Sequence, residues 1–397
     1  MRHLLYIMAR NIITGIDVGT YQVKVVIAEH VKGKDRDFPR IIGSGFAESK
    51  GLRHGYIINS KDVEKSIREA IGQAEQVAKV TVKHTYLSVG GVGLEEVRGK
   101  GGTIVTRADA EITDFDVRRA LQDAEEKVRE RSSNRKIVHA IPLSYKIDGA
   151  PVLGRPIGMR GSKLEVEMLF ITCFEQHLND LIRAVEETNV EVDDVMASPI
   201  AGSLVTLTKT QKMAGCVLAN IGSETVSLVV FEDNIPISLK VFPIGSTDIT
   251  NDIALGLKIS LEEAEQIKKG AITSTSYPKK RLDEIIMARL SDIFELIENH
   301  LKKIGKNELL PAGIILTGGG SGIATIEDFA RAALKLPSKL AAPRLMEGSK
   351  IKDASWAVAY GLCIWGLTAD EEGSPVGIDL AQKTGNKLVS WLKQFLP

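Results

Sequence analysis

Apolar positions along this chain fall into two rhythms. In the first, short β-branched runs end in polar turns that carry glycine: Asn11-Ile12-Ile13-Thr14-Gly15-Ile16 runs into Asp17-Val18-Gly19-Thr20, and Val23 to Ala28 returns. This is the pattern of a β-hairpin. Far downstream it repeats, with Gly215 to Ala219 as the apolar run, Asn220-Ile221-Gly222-Ser223 as the turn and Val226 to Phe231 as the return. Laying one turn on the other also aligns the runs on either side. A duplicated fold is therefore expected, with two similar domains presenting facing turns. A third run, Gly313-Ile314-Ile315-Leu316, leads into Thr317-Gly318-Gly319-Gly320-Ser321-Gly322 and then a helical segment, Ile326 to Leu334.

The second rhythm has the 3.6-residue period of an amphipathic helix. Leu282, Ile285, Ile286, Leu290, Ile293, Phe294, Ile297 and Leu301 keep it across Arg281 to Lys303. Ser260 caps a shorter helix that reaches Lys269, with acids in its first turn and lysines in its last. Between the two hairpins the pattern predicts a strand at Thr81 to Val89 and a polar helix at Asp114 to Arg131. The run Lys136 to Leu143, a turn at Asp148-Gly149 and a strand at Leu164 to Thr172 follow. Near the end, Thr368 to Thr384 is acidic and broken by Gly373, Pro375 and Gly377, which reads as a flexible tether. Beyond it Leu388, Val389, Trp391, Leu392, Phe395 and Leu396 fill one side of a helix, and Lys387, Ser390, Lys393 and Gln394 the other. That split predicts a helix lying on a membrane surface; a terminal helix docked on the core is the competing reading.

Composition narrows the classes. A chain of 397 residues is too long for one core, so two or more domains are expected. Lys plus Arg (51) equals Asp plus Glu (51), so no overall field draws the chain to nucleic acid, and none is expected as a partner. Cys173, Cys216 and Cys363 stand in separate apolar contexts without metal-ligand spacing, which points to buried thiols in a reducing compartment. No apolar run approaches the roughly 20 residues needed to span a bilayer.

Glycine at a hairpin tip lets backbone N–H groups approach phosphate oxygens, and Thr20 or Ser223 adds a hydroxyl donor. Asp17 beside such a tip suits a hydrated Mg²⁺ that bridges phosphates. The nucleotide-binding candidates are thus Asp17, Gly19, Thr20, Tyr21, Lys24, Asn220, Gly222 and Ser223. Gly318, Gly319 and Gly320, at a strand-to-helix junction, permit close approach of a flat or anionic ligand. Glu265 and Lys268 share a helix face and could grip ribose hydroxyls, or form a plain surface ion pair. No Ser–His–Asp or metal constellation is present, and no catalytic residue is assigned.

These pieces, in this order, resemble the actin, sugar-kinase and heat-shock ATPase superfamily. The stretch VHAIPLSYKIDG…RPIGMRGSKLEVEMLFIT, from Val138 to Thr172, is similar within it to the subdomain that the bacterial FtsA family inserts. The resemblance implies an α/β fold: two actin/heat-shock-ATPase-like domains with an inserted α/β subdomain and a C-terminal amphipathic helix. On this pattern, 10–82 and 168–206 form the first domain and 83–167 the inserted subdomain. The second domain is 207–248 and 311–366, with a helical subdomain at 249–310, a linker at 367–384 and a membrane helix at 385–397. It further implies binding of ATP with Mg²⁺, self-assembly into filaments, and anchoring of FtsZ at the cytoplasmic face of the cell membrane at the division site. Membrane lipids and later division proteins are the other implied partners. Arg289, off the apolar stripe of its helix, falls where the family contacts the C-terminal peptide of FtsZ.

The second turn departs from the superfamily, which usually carries an acid and a glycine-rich tip there. Here Asn220 and Ser223-Glu224 stand instead. An amide supplies no negative charge, and Glu224 would repel phosphate if it faced the pocket. Weak ATP binding and, at most, a slow ATPase are expected. The alternative is a pilus-assembly relative on the same fold, a binding module expected to lack the terminal helix. A sugar kinase would need a carboxylate base at a carbohydrate cleft, and no candidate stands out.

Overall fold

A computed structural model describes residues 11–31, 38–271, 277–342 and 353–371. The first domain opens with the antiparallel strands β1 (Ile12–Val18), β2 (Gln22–Val31) and β3 (Phe38–Glu48). A small hairpin of β4 (Leu52–Arg53) and β5 (Tyr56–Ile57) precedes helix α1 (Ser60–Ala78). The Asn59 side chain accepts from Lys61 N–H to start α1, and Lys79 ends it in the left-handed conformation. Strand β6 (His84–Val89) then enters the same sheet, parallel to β1.

The inserted unit follows: β7 (Glu95–Ile104), α2 (Asp114–Arg131), β8 (Arg135–Ile147), β9 (Ala150–Val152) and β10 (Lys163–Phe174). Its sheet runs β7-β10-β8-β9 and has its own core, in which Val117, Ala120, Leu121, Ala124 and Val128 of α2 meet Leu164, Val166, Met168 and Phe170. Two expected boundaries move. The strand ending at Val89 belongs to the first sheet, so the unit does not begin at residue 83. Nor does it end at 167, because β10 pairs continuously from Lys163 to Phe174. A parallel partner far off in sequence leaves no local mark on a strand, so the pattern alone could not assign β6.

Helix α3 (Glu175–Glu186), β11 (Glu191–Ala197), α4 (Ser198–Thr206) and α5 (Lys209–Ala214) complete this half, and the first sheet reads β11-β6-β1-β2-β3. The second domain repeats the hairpin with β12 (Cys216–Ile221), β13 (Val226–Glu232) and β14 (Ile235–Phe242). A helical subdomain of α6 (Ser246–Leu257), α7 (Leu261–Lys268) and α8 (Lys279–Lys303) follows. Strand β15 (Ile314–Thr317), a 3₁₀ turn at Gly319–Gly322, α9 (Ile326–Leu334) and β16 (Ser338–Leu340) close the second sheet, β14-β13-β12-β15-β16. Helix α10 (Ala357–Glu371) then crosses back to the first domain and lies against β1 and α4.

The second sheet faces two cores because strand side chains alternate. Cys216 and Leu218 of β12 join the large core shared with the first domain, while Val217, Ala219 and Ile221 join the core under the helical subdomain. The α8 stripe buries Leu282, Leu290, Ile293, Phe294, Ile297 and Leu301 there. Among the described residues no helix is long and apolar enough to cross a membrane. The linker expected from residue 367 does not start there, because α10 continues to Glu371 and buries Leu367; the rest of the tether and the proposed membrane residues Leu388, Val389, Trp391, Leu392, Phe395 and Leu396 lie outside the described residues.

Candidate functional site: a cleft between the two sheets

The parallel strands β1, β6, β11, β12 and β15 bring their carboxyl ends to one cleft of about 410 Å³. Ligands in α/β sheets settle at such ends because the loops there are free to vary. Asp17, Gly19, Thr20, Tyr21 and Lys24 line it from the first domain; Asn220, Gly222, Ser223, Glu265, Lys268, Gly318, Gly319 and Gly320 line it from the second. Every nucleotide candidate named from the sequence meets there.

The two hairpin tips share one closing bond. Gly19 N–H donates to Gln22 O at 3.2 Å, and Gly222 N–H donates to Thr225 O at 2.8 Å. Asp17 and Lys24 lie opposite each other in the first hairpin register. Asp17 Oδ1 accepts from Ser88 Oγ at 2.7 Å, and Lys24 Nζ donates to Ser355 O at 3.1 Å. Burial pushes the Asp17 carboxyl up, against the Ser88 hydroxyl and the Lys24 charge. Burial likewise pushes the Lys24 ammonium down, against Asp17 and Asp353. Both groups are short of solvation; an anion in the cleft would favour the charged Lys24 and a cation the charged Asp17. Ser88 and Lys269 were missed in the sequence, the first because it stands 71 residues from the carboxylate it holds.

The second-domain wall is more tightly tied. Lys268 Nζ reaches Glu265 at 2.6 Å, Thr250 Oγ1 at 2.8 Å and Ser246 O at 3.0 Å. Glu265 also accepts from Thr250 Oγ1 at 2.6 Å and pairs with Lys269 at 3.1 Å. The ion pair and the cleft wall are therefore one structure, with Lys268 buried in the wall and not a plain surface partner. Burial raises the Glu265 carboxyl, but the Lys268 and Thr250 bonds outweigh it and leave the group below its ordinary value. Lys269 sits over the Tyr21 ring, 5.9 Å from its centre, and so reaches across the cleft.

Glu224 does not face the pocket; its carboxylate accepts from His54 N–H at 2.5 Å, on the first domain. The condition under which Glu224 would repel phosphate is therefore not met. Arg289 lies away from the cleft, half-buried, and makes a two-pronged pair with Asp252 at 2.7 and 3.0 Å and a contact with Asp292 at 3.3 Å. The three cysteines are free and buried, and burial pushes Cys173 and Cys216 up to about 12. Among the described residues no group of three or more His, Cys, Asp or Glu could hold a metal ion.

Two hairpin-bearing domains around one cleft define an actin-like ATPase fold. Solved structures agree on the fold. The chain is similar to one in the PilM–PilN type IV pilus biogenesis complex, with a TM-score of 0.67, 16% identity, and coverage of 89% of this chain and 98% of that one. It is also similar to MreB5 of Spiroplasma citri bound to ADP, with a TM-score of 0.52, 12% identity, and coverage of 92% and 99%. Residues 217–361 match the family model of cell division protein FtsA, and residues 96–172 match that of the SHS2 domain inserted in FtsA. Cell division protein FtsA of Neisseria meningitidis is 30% identical over 374 residues, which cover 88% of this chain and 89% of that protein. The chain belongs to the FtsA family.

Proposed function

We propose that the chain binds ATP with Mg²⁺ in the cleft, self-assembles, and ties FtsZ filaments to the cytoplasmic face of the membrane at the division site. The observation that carries the nucleotide reading is the convergence on one cleft of both hairpin tips, the glycine turn and the Glu265–Lys268 pair. Gly19 and Gly222 would present backbone N–H groups to the phosphates, with Thr20 and Ser223 beside them. Asp17 suits Mg²⁺, an ion that keeps most of its waters and needs one or two carboxylates. Such an ion would neutralise charge on the phosphates. Gly318, Gly319 and Gly320 leave room for a flat base, and Glu265 and Lys268 stand where ribose hydroxyls would be gripped. Asn220 offers no carboxylate to activate water, so turnover is expected to be slow.

Two further parts complete the reading. Arg289 with its helical subdomain would receive the acidic C-terminal peptide of FtsZ, and residues 385–397 would insert their apolar face into the membrane. Membership in the FtsA family supports both, together with downstream division proteins as later partners. Equilibrium titration with a fluorescent ATP analogue, with and without Mg²⁺, tests the core of the proposal. Saturable, Mg²⁺-dependent binding is expected; none at millimolar nucleotide, for folded protein, would mean that the cleft holds something else.

A further inference from the structure

The His54-Gly55 tip between β4 and β5 touches both the second domain and the root of the inserted unit. Both residues have positive φ, 49° and 91°, the backbone of a tight two-residue hairpin. Toward the second domain, His54 N–H donates to Glu224 Oε2 at 2.5 Å, and the ring Nδ1 lies 3.2 Å from the Glu224 carbonyl oxygen. Toward the root of the inserted unit, His54 O accepts from Val92 N–H at 3.1 Å, and Gly55 lies so close to Gly91 that a β-carbon on either would strike the other's Cα. A single turn thus bridges the second phosphate-side hairpin and the loop leading into β7.

Neither end of the bridge is free to drift. The Glu224 hairpin is held to the start of α6 by Ser246 N–H to Gly222 O at 2.9 Å, Thr247 N–H to Ser223 O at 2.9 Å, and the Ser223–Thr247 hydroxyl pair at 2.7 Å. The inserted unit has its own tie to the second domain, where Glu96 accepts from Leu239 N–H at 2.7 Å and Arg98 donates to Ile237 O at 3.1 Å. These two side chains occupy two of the backbone groups that β14 exposes at the edge of its sheet. The cleft therefore cannot widen at the Glu224 hairpin without releasing His54 or dragging the root of the inserted unit with it.

We propose that Glu224 is a latch residue, whose grip on the His54 turn closes the cleft mouth and makes release of the bound nucleotide and the setting of the inserted unit one motion. The proposal deepens the nucleotide reading and rests on it for the release measurement only. On that reading, the departure of this turn from a plain glycine tip is a gain of a cross-domain contact as well as a loss of catalytic charge.

The test uses the full chain with Glu224→Ala, Glu224→Gln and His54→Ala. Release of a fluorescent ATP analogue, chased by excess unlabelled ATP, is expected to be about tenfold faster or more in Glu224→Ala, because a hydrogen bond to a charged acceptor is lost. Glu224→Gln keeps an oxygen acceptor without the charge and is expected to fall between. His54→Ala keeps the backbone N–H and is expected to change release less than Glu224→Ala. Hydrogen–deuterium exchange on nucleotide-free protein provides an arm that needs no ligand: the His54 and Val92 amides are expected to lose protection in Glu224→Ala. Wild-type release together with unchanged protection at both amides would overturn the latch, as would a larger effect from His54→Ala. Should the wild type bind no nucleotide, the cleft reading fails by itself and the exchange arm alone decides the latch.

Discussion

The Asn220 side-chain oxygen sits against Gly318, so close that a β-carbon on Gly318 would collide with it and with Ile221 O. The turn after β12 and the turn after β15 are thereby locked together at the floor of the cleft. Gly318 also has φ of 87°, which side-chain-bearing residues rarely adopt. Its neighbour differs, since a β-carbon on Gly319 meets nothing within 4 Å. Gly318→Ala is therefore expected to destabilise the second domain by roughly 1–3 kcal/mol, through strain and collision together. Gly319→Ala should be close to neutral for folding. Urea denaturation of both variants checks the contrast, and equal stabilities would mean that the glycine turn yields more readily than its geometry indicates.

Asn220→Asp is expected to speed ATP hydrolysis if the missing acid limits turnover. A carboxylate there would place negative charge opposite Asp17, where water activation needs it. Steady-state phosphate release gives the rate. A wild-type turnover near a typical enzyme's, about 10 per second, would contradict the premise, and no gain in the variant would place the limit elsewhere.

For Arg289 the structure sharpens the sequence expectation. The guanidinium already holds Asp252 and Asp292, so an acidic peptide must share or displace those partners. Arg289→Glu would set three acids together, which is expected to weaken FtsZ-peptide binding and to cost domain stability on the order of 1 kcal/mol, the upper end for an incompletely buried pair. Asp252→Asn frees the arginine instead and is expected to tighten the peptide. Fluorescence anisotropy with a labelled peptide separates these, and unaltered affinity in both variants removes Arg289 from the proposed contact.

Acid sensitivity is expected from a buried histidine. His139 Nε2 accepts from Ala197 N–H at 3.0 Å, and burial pushes its pKa from 6.5 down to about 3. Between those values the unfolded chain takes up a proton that the folded chain refuses. Stability is thus full above the unfolded value and falls as pH drops below it, by up to about 1.4 kcal/mol per pH unit for one proton. Burial shifts His177 and His300 downward as well, so the three slopes add. His139→Gln keeps an acceptor for Ala197 and should flatten the slope by about one proton in denaturation curves between pH 7 and 5. An identical slope would assign the acid sensitivity to the other two.

The tail makes a separate prediction. Burying Leu388, Trp391, Leu392 and Phe395 at an acyl boundary contributes roughly 1.5–3 kcal/mol per side chain in gross terms. Folding so short a helix opposes it, since isolated helices under about 12 residues are marginal in water. One tail should bind weakly, and a polymer carrying many should bind well, because later insertions become intramolecular. Trp391→Glu is expected to abolish liposome co-sedimentation while leaving nucleotide binding intact. A chain truncated after Thr384 that still pellets like wild type would show that the anchor is elsewhere.

Local chemistry made much of this molecule legible. The helix Asp114–Arg131 and the segment Ile326–Leu334 stand at the residues that the sequence pattern indicated, and the structure adds a capping box at Thr113 and acids in both first turns. The hairpin tips were readable because a tight backbone approach leaves glycine as its trace. Pairing across the sequence was not. Nothing near His84–Val89 says that the strand joins β1 and not the inserted unit, and nothing near Glu224 says that its carboxylate turns to His54. Nor does the helix that carries Arg289 reveal its two-pronged partner, since Asp252 is on another. In each case the missing information sits on the far partner.

The two-faced second sheet has a bearing on how the molecule can be divided. Neighbouring residues of β12 answer to different surroundings, and the face carrying Cys216, Leu218, Val229, Phe231 and Leu239 joins the large core built on the first domain, with α4 and α5 packed against β13. Duplication has left two copies of a motif but not two portable modules. A second half expressed alone would turn that face to water as a contiguous apolar patch, the kind that drives association. The internal symmetry that is plain in the sequence is therefore a poor guide to where the chain can be cut.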